Sequence, residues 1–526
     1  MTARERHSLT EAAIDSIVAD TAGPYRFVYI DAQSPPWLRD TLAARAGEWN
    51  LEVVRFDEPL SAQEARRRIA PSIATDYAVF IDNDIQVEEG WLDALIACAD
   101  ETGAGIVGSL YLWGDGISPP KIHMAGGRLL ETAAGGGRVL EEFHELLNAD
   151  PRAVPRELVR RSCDFVEFHC MLIRTALLRD PAFFDPQICC VHEHIDVALQ
   201  ARRNGYRVYF EPASRVHYMA FADYMLDDLE FFKARWSKSE GESSIEAFCR
   251  KWNVVNDDRS FGDIRQYLRT HVAQIDPLRA DTAITADRRQ PMQASELVQS
   301  RSALLDAAAQ RGYPQKDLDR IAAAYRLAQR LFDGIYRPCG RPFVNHAVGV
   351  AGVLVRYGFA VRNVVAALLH SAYTHSASDA QSIADALNGL GGDLERRVRA
   401  YTERDRDPAA NEDSFEADAL FTLSVFEAET LALVAANEID MHLSGEFRYS
   451  GRSDAISEAA MVRIEHVCRT IGADGLYVTL QQARAARAAV ADGLQTHLSG
   501  SYRISPAAND RPAVQAGTGA RSSTPH

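Results

Sequence analysis

The chain has 526 residues, 47% of them hydrophobic, which suits two or three globular domains rather than a fibrous or wholly disordered chain. Its formal charge of −16 excludes a nucleic-acid binder that works through a broad basic surface. No apolar run approaches the roughly 18–20 residues of a membrane span, and the opening MTARERHSLTEAA lacks the apolar core of a signal peptide, so a cytoplasmic location without a transmembrane segment is expected. Eight cysteines, Cys98, Cys163, Cys170, Cys189, Cys190, Cys249, Cys339 and Cys468, are too sparse for a dense disulfide framework, and most read as reduced and structural.

In chain order, a helical pattern over 9–19 leads through Gly23-Pro24 to a strand over 25–30 that ends at Asp31. A helix over 36–48, a strand over 51–56 ending at Asp57, and a helix over 61–73 follow. The next strand, Tyr77–Ile81, is short, β-branched and aromatic, and it runs into Asp82-Asn83-Asp84. If the extended geometry continues, Asp82 and Asp84 face the same way. Like charges that close repel unless a hard divalent cation lies between them. The plainer reading is a polar turn in which Asp84 or a neighbour caps a helix starting near Glu88. Helices alternating with apolar strands indicate an α/β domain with a largely parallel sheet. Ligands bind such sheets beyond the carboxyl ends of the strands, where Asp31, Asp57, Asp82 and Asp84 fall.

Glycines over 103–137 mark a strand over 104–111 and a flexible loop, followed by a charged helical stretch and a strand pattern over 163–174. A helix then begins at Glu193-His194-Ile195-Asp196 and stops at Gly205; a strand over 206–210 follows, and the segment closes on Val216-His217-Tyr218. Glu193 and Asp196, three apart, share a face near the positive end of that helix. The run Cys189-Cys190-Val191-His192-Glu193-His194 admits a zinc reading, but adjacent cysteines without a Cys-x-x-Cys partner do not match closed zinc sites, and loop packing accounts for them better. Arg66, Arg67 and Arg68 are candidates for phosphate contact, with Arg68 taken as donor-binding, although consecutive helical residues point three ways and at least one is only solvated. His123 and His169 have no evident partner and read as packing.

Residues 256–296 are polar and weakly patterned, with some helix over 264–272, and read as a linker. Beyond them the 3.6-residue period recurs over 296–310, 316–332, 343–356, 362–370, 378–387, 413–440 and 456–492, giving an all-α domain over 297–497. The tail over 498–526 is rich in Ser, Ala, Pro and Gly and reads as disordered.

Four motifs in order, VYIDAQSP, ATDYAVFIDND, EHIDVALQARRNGYRVYFEP and VHY, make residues 1–255 resemble family 2 glycosyltransferases of the GT-A fold. The resemblance implies that Asp82 and Asp84 hold Mn²⁺ or Mg²⁺ against the diphosphate of a nucleotide-sugar, with His217 as a further ligand and Asp31 and Asp57 on the nucleoside. The ion would neutralise the leaving diphosphate as a Lewis acid. Two departures stand out. Thr2–Arg6 occupies the turn that follows the family's first strand, which implies either a sheet lacking that strand or a start upstream. His194 stands where many inverting members carry the acid that deprotonates the acceptor. Glu193, Asp196 or His194 could take that proton, Glu193 being favoured, and the stereochemical outcome stays open.

LAQRLFDGIYRPCGRPFVNH, VVAALLHSAYTH and LVAANEIDMH make the helical domain resemble the HD superfamily, most closely the hydrolase domain of the bifunctional guanosine-tetraphosphate enzymes. Active members bind a metal through a His, a His-Asp doublet and a later Asp. Those positions read here as Phe332, His370-Ser371 and Asn437, and one imidazole cannot hold a catalytic ion, so an inactive binding or regulatory module is implied. A shifted site of His370, His375 and His442 is the weaker alternative. The expectation is a metal-dependent glycosyltransferase that moves a sugar from a nucleotide-sugar to a hydroxyl of a carbohydrate, lipid-linked or protein acceptor, with no nucleic-acid partner and with self-association through the helical domain. Its rivals are an HD phosphohydrolase acting on a nucleotide and a non-catalytic nucleotide-responsive scaffold.

Overall fold

The computed structural model describes residues 1–32, 34–114, 119–220, 222–279, 288–406, 423–450 and 456–497. The chain divides into two compact units, Met1–Asp276 with Phe421–Val425, and Pro277–Leu420 with Phe426–His526. The tail over 498–526 and the first part of the helix expected over 413–440 lie outside the described residues.

The first unit is an α/β domain. Its early strands are β1 (Phe27–Ala32), β2 (Leu51–Phe56), β3 (Tyr77–Ile81), β4 (Ile85–Val87) and β5 (Ile106–Trp113), and its early helices are α1 (Thr10–Asp20), α2 (Pro36–Arg45), α3 (Ala62–Ile69) and α4 (Trp91–Thr102). Local chemistry sets these limits. Pro36 opens α2, where its missing N–H costs nothing, and the Ser61 hydroxyl accepts from the Glu64 N–H to cap α3. Gly90 and Gly103, at φ 79° and 67°, bracket α4 in the left-handed conformation that only glycine adopts without strain. Helix α4 therefore begins beyond Glu88, and Asp84 caps nothing.

The next segment differs from its expected form. The supposed flexible loop and charged helix hold β6 (Lys121–Met124), β7 (Gly127–Ala134) and β8 (Gly137–His144). In β8, Arg138, Glu142 and His144 lie an even number of residues apart, which places them on one face of a strand. β9 (Arg161–Cys163), β10 (Cys170–Arg174), α5 (Glu193–Arg203) and β11 (Val208–Tyr218) follow, then α6 (Leu229–Arg235), α7 (Lys238–Trp252) and α8 (Asp258–Ile275). Helix α8 lies in the stretch read as a linker, yet it packs on β8 and α7 through buried Phe261 and Leu268 and belongs to the first unit.

The main sheet runs β3-β10-β5-β11-β4, with β6 on β5 and β9 on β11, while β1 and β2 pair in parallel beside it. β5 and β11 are also parallel, and β10 is antiparallel to both neighbours. Between β1 and β3 lies Thr2, in parallel bridges to Ile30 and Asp82. Its N–H donates to Ile81 O, and Asn83 N–H donates to Thr2 O. Met1 and Thr2 thus fill the strand position that the sequence left in doubt, and they deliver residues 4–6 to the end of β3. β7 and β8 form a separate two-stranded ribbon, tied to the domain by bridges from Gly127 to Phe165 and from Arg138 to Val254. At Gly127 a Cβ would meet the Phe165 ring at 2.2–2.4 Å, so only glycine permits that approach.

The described part of the second unit is helical: α9 (Arg301–Gln310), α10 (Gln315–Leu331), α11 (Phe343–Arg356), α12 (Val361–Leu369), α13 (Ala372–His375), α14 (Ala380–Asn388), α15 (Leu394–Arg406), α16 (Val425–Leu443), α17 (Phe447–Ser450), α18 (Glu458–Ile471) and α19 (Asp474–His497). The single helix expected over 456–492 is two, because Gly472 at φ 75° ends α18. Helices α11 and α12 are buried on nearly every side, as their continuous Val, Ala and Leu content requires. No described helix is long and apolar enough to cross a membrane.

Candidate active site

β3 ends among buried residues, and the chain turns at Asp82-Asn83-Asp84 before β4, leaving all three side chains fully buried. Asn83 holds the N-terminal segment over the pair: its amide nitrogen donates to Arg6 O and Thr10 Oγ1, and its oxygen accepts from the Arg4 N–H. Buried Arg66 donates to Asp82 Oδ1 at 3.1 Å, while Asp82 Oδ2 lies 3.4 Å from His169 Nδ1 and 3.7 Å from Arg4 Nε. Burial works against the Asp82 charge, but the contact with His169 and the Arg4 and Arg66 guanidiniums outweigh it and hold the carboxyl below its usual range. Asp84 has the opposite fate. Neither of its oxygens has a hydrogen-bond partner, and burial, then Glu5, then Asp82 push its pKa up to about 6. Asp82, Asp84 and His169 each offer a donor atom within 4.8 Å of the others'.

A cavity of about 880 Å³ opens beside this cluster. Arg4, Glu5 and His169 form part of its wall, so the acid pair sits one side chain behind the surface. More of its wall comes from the ribbon and from the start of α5. Glu142 and His144 of β8, Glu167, and His192, Glu193 and His194 all line the cavity. His144 Nε2 is 2.9 Å and His194 Nε2 is 3.3 Å from Glu142 Oε1. Burial resists the charge on both imidazoles, but neighbouring carboxylates overcome it. His144, beside Glu167 and Glu142, rises to about 9, and His194 is raised chiefly by its hydrogen bond to Glu142.

The expected site residues divide accordingly. Asp82 and Asp84 meet at the end of β3, and Glu193 and His194 face the cavity. Glu193 is ion-paired to Arg235 at 3.2 Å, which with His194 keeps it ionised against burial. Asp196 is not brought to the cavity; its carboxylate is taken by Lys251 at 2.9 Å and by the Trp252 indole N–H at 2.8 Å, fastening α5 to α7. His217 does not join the acids either. On β11 it pairs with Gln86, one residue from Tyr218, so the two side chains leave opposite faces. His217 goes to Glu88 at 2.7 Å, whereas Tyr218 lies on His169 with ring centroids 4.2 Å apart. His169 occupies the place expected of His217. Arg68 is held on the surface by Glu64 and Glu58, and the arginine at the pair is Arg66. Asp31 is buried and accepts from the Ser34 N–H and from Arg55, while Asp57 is exposed. The cysteines are all free, and among the described residues none joins a group able to hold a metal.

His123 and His169 were read as packing, and Glu142 and Glu167 went unread, because the fold alone brings β6, the ribbon and the turn before β10 together. The one local hint was the alternation Glu167-Phe168-His169 just before a strand.

The second unit carries its own buried cluster. His346 Nδ1 is 2.7 Å from Asp440 Oδ2, with Glu446 close by and the His370 ring 5.3 Å from that of His346. Phe332, read as the first ligand position, instead packs on Phe343 at 4.7 Å; His346 is the imidazole beside His370. The Arg341 guanidinium contacts both oxygens of Asp440, at 2.8 and 3.0 Å, and Arg337 pairs with Glu446. Burial presses both imidazoles toward the neutral form, His370 to about 3.

The first unit is thus an α/β domain with a mixed sheet, an acid pair at a strand end, an N-terminal segment folded over it and a polar cavity alongside. Residues 1–178 match the family Glycosyl transferase family 2, so this region is glycosyltransferase-like. No curated protein matches the chain. Among solved structures, a crystal structure of GalNAc-T7 with UDP, GalNAc and Mn²⁺ is similar at 16% identity and a TM-score of 0.34, covering 51% of this chain and 56% of that one.

Proposed function

We propose that the first unit is a metal-dependent glycosyltransferase that moves a sugar from a nucleotide-sugar to an acceptor hydroxyl. The observation that carries this reading is Asp84, a fully buried carboxylate with both oxygens lacking a partner, beside Asp82 in a domain that matches a glycosyltransferase family. A carboxylate pair in which Asp84 has both oxygens free suits a hard, oxygen-seeking cation such as Mn²⁺ or Mg²⁺. When bound, such an ion supplies Lewis-acid stabilisation of the departing diphosphate. Arg4, which stands beside Asp82 and lines the cavity, binds phosphate oxygens in this reading in place of the surface residue Arg68, while buried Arg66 holds Asp82. The nucleoside is assigned to the ends of β1 and β2, where Asp31 and Asp57 lie. Glu193, ionised and facing the cavity, takes the acceptor proton, and His194, anchored by Glu142, orients the acceptor. Asp196, committed to Lys251 and Trp252, has no part in the transfer.

For the helical unit we propose a non-catalytic role in binding or regulation. Arg341 and Arg337 already neutralise Asp440 and Glu446, which leaves little charge there to draw a cation.

A thermal-shift panel of nucleotide-sugars with and without Mn²⁺ tests the central reading. One donor class is expected to stabilise the wild type only with metal, and the stabilisation is expected to vanish in Asp84→Asn. Stabilisation by no nucleoside diphosphate, or one indifferent to both metal and Asp84→Asn, would overturn it. Nucleotide phosphate release that survives Asp82→Ala but not His370→Ala would shift the activity to the helical unit.

A further inference from the structure

The cavity wall holds a second group of donors, distinct in chemistry from the paired aspartates. Glu167 lies between two imidazoles: its Oε2 is 2.9 Å from His123 Nε2 and 3.2 Å from His169 Nε2. One donor atom from each of the three residues falls within 4.8 Å of the others. A tetrahedral ion bonded at about 2.0–2.2 Å to nitrogen and oxygen needs donor-to-donor edges of about 3.3–3.5 Å, so the observed spacing requires only small side-chain adjustments.

The geometry points to a second cation site, in which His123 Nε2, His169 Nε2 and the Glu167 carboxylate bind a divalent transition ion of the zinc class with a coordination position open to the cavity. Two imidazoles and one carboxylate favour Zn²⁺ and similar ions over the oxygen-seeking Mg²⁺ and Mn²⁺ assigned to the acid pair. The surroundings match what such ligands need. A metal-bound imidazole usually gives its other nitrogen to a carboxylate, and His169 Nδ1 faces Asp82 Oδ2 at 3.4 Å. His144 Nε2, 3.8 Å from Glu167 Oε1 and hydrogen-bonded to Glu142, backs the carboxylate from outside. Arg4 Nη1 lies 3.3 Å from both nitrogens of His169 and opposes an incoming cation. Against it, the cavity wall carries seven carboxylates to two guanidiniums and the raised imidazoles of His144 and His194, which still leaves an excess of negative charge to draw cations in. Unlike the acid pair, the three ligands line the cavity themselves, so a substrate group or water there reaches the open position directly.

The inference does not rest on the glycosyltransferase reading, although the two share His169, its contact with Asp82, and Arg4. Its test is titration of the chelator-stripped full-length protein with Co²⁺, read by the visible absorption of low-coordinate Co²⁺, and with Zn²⁺ by calorimetry. One ion per chain is expected. Affinity should fall in Glu167→Gln and in His123→Gln by more than the roughly 10–100-fold that loss of an outer partner costs, and should persist in Asp84→Asn. Circular dichroism establishes that each variant is folded, and the two separate ligand changes guard against a single misfolded variant. Equal Co²⁺ affinity in wild type, Glu167→Gln and His123→Gln overturns the site. So does loss of Co²⁺ in Asp84→Asn alone, which would place the ion on the aspartates. A protein that binds Co²⁺ through Glu167 yet no nucleotide-sugar would retain this site while the proposed transferase fails.

Discussion

Asp84 is held without a hydrogen-bond partner in a place where burial and two neighbouring acids all oppose its charge. Such a group makes the fold less stable unless a ligand answers it. Asp84→Asn is therefore expected to raise metal-free stability by about 1–3 kcal/mol in chemical denaturation while abolishing Mn²⁺-dependent donor binding. A loss of stability instead would mean the carboxylate already has a structural partner. The opposite arrangement holds at Asp440, where Arg341 meets both carboxylate oxygens. Arg341→Met strands a buried charge and is expected to cost about 3–5 kcal/mol, most of it recovered in the double variant Arg341→Met, Asp440→Asn. At this scale the sequence was legible where chemistry repeats locally. Asp82 and Asp84, one residue apart after an apolar run, could be read directly. His217 was expected at the acids and His169 in packing, and the fold exchanges them, because strand pairing and face decide which ring meets the acids and neither is written in a single segment.

The strand–helix alternation before Thr102 was legible because each element carries its own period and its own punctuation, such as Ser61, Gly90 and Gly103. The ribbon was not. In a Gly-rich, charged stretch the few buried apolar positions, Val139 and Leu140, are hard to see, and the close approach of Gly127 to the Phe165 ring depends on a residue far along the chain. That ring lies 5.4 Å from His194 and 6.0 Å from His144. Gly127→Ala is expected to destabilise the protein by about 1–3 kcal/mol by overpacking, measured by urea denaturation. An unchanged midpoint would show that Phe165 can yield. Helix α8 was legible only in part, as the stretch over 264–272, and was placed in a linker, because a mostly polar surface hides the few buried positions, Ser260, Phe261 and Leu268, that bind it to the first unit.

Across the whole molecule, the order of an α/β unit followed by a helical one was legible from the change of hydrophobic period, but the pH response follows from burial that only the fold creates. His370 is buried and its pKa falls to about 3 from the ordinary 6.5, chiefly by desolvation and then by neighbouring His346. The unfolded chain binds this proton more readily. The stabilisation from keeping His370 neutral is thus complete above pH 6.5 and is lost as pH falls from there toward 3. His346, lowered in the same direction, adds to the effect. Hydrogen exchange of α11 and α12 is expected to show openings that become easier by up to about 1.4 kcal/mol per pH unit per histidine on acidification below about pH 6. His370→Leu is expected to flatten that response, and an unaltered slope would assign it to other groups.

The β7–β8 ribbon carries Glu142 and His144 to the cavity without taking part in the pairing of the main sheet. A wall mounted this way is a cassette. Its side chains can be rewritten, or the whole hairpin exchanged, without renegotiating the strand order that presents Asp82 and Asp84. Inheritance can therefore act on the two halves of the cavity at different rates, keeping the β3 turn fixed while the ribbon drifts toward whatever the cavity must accept.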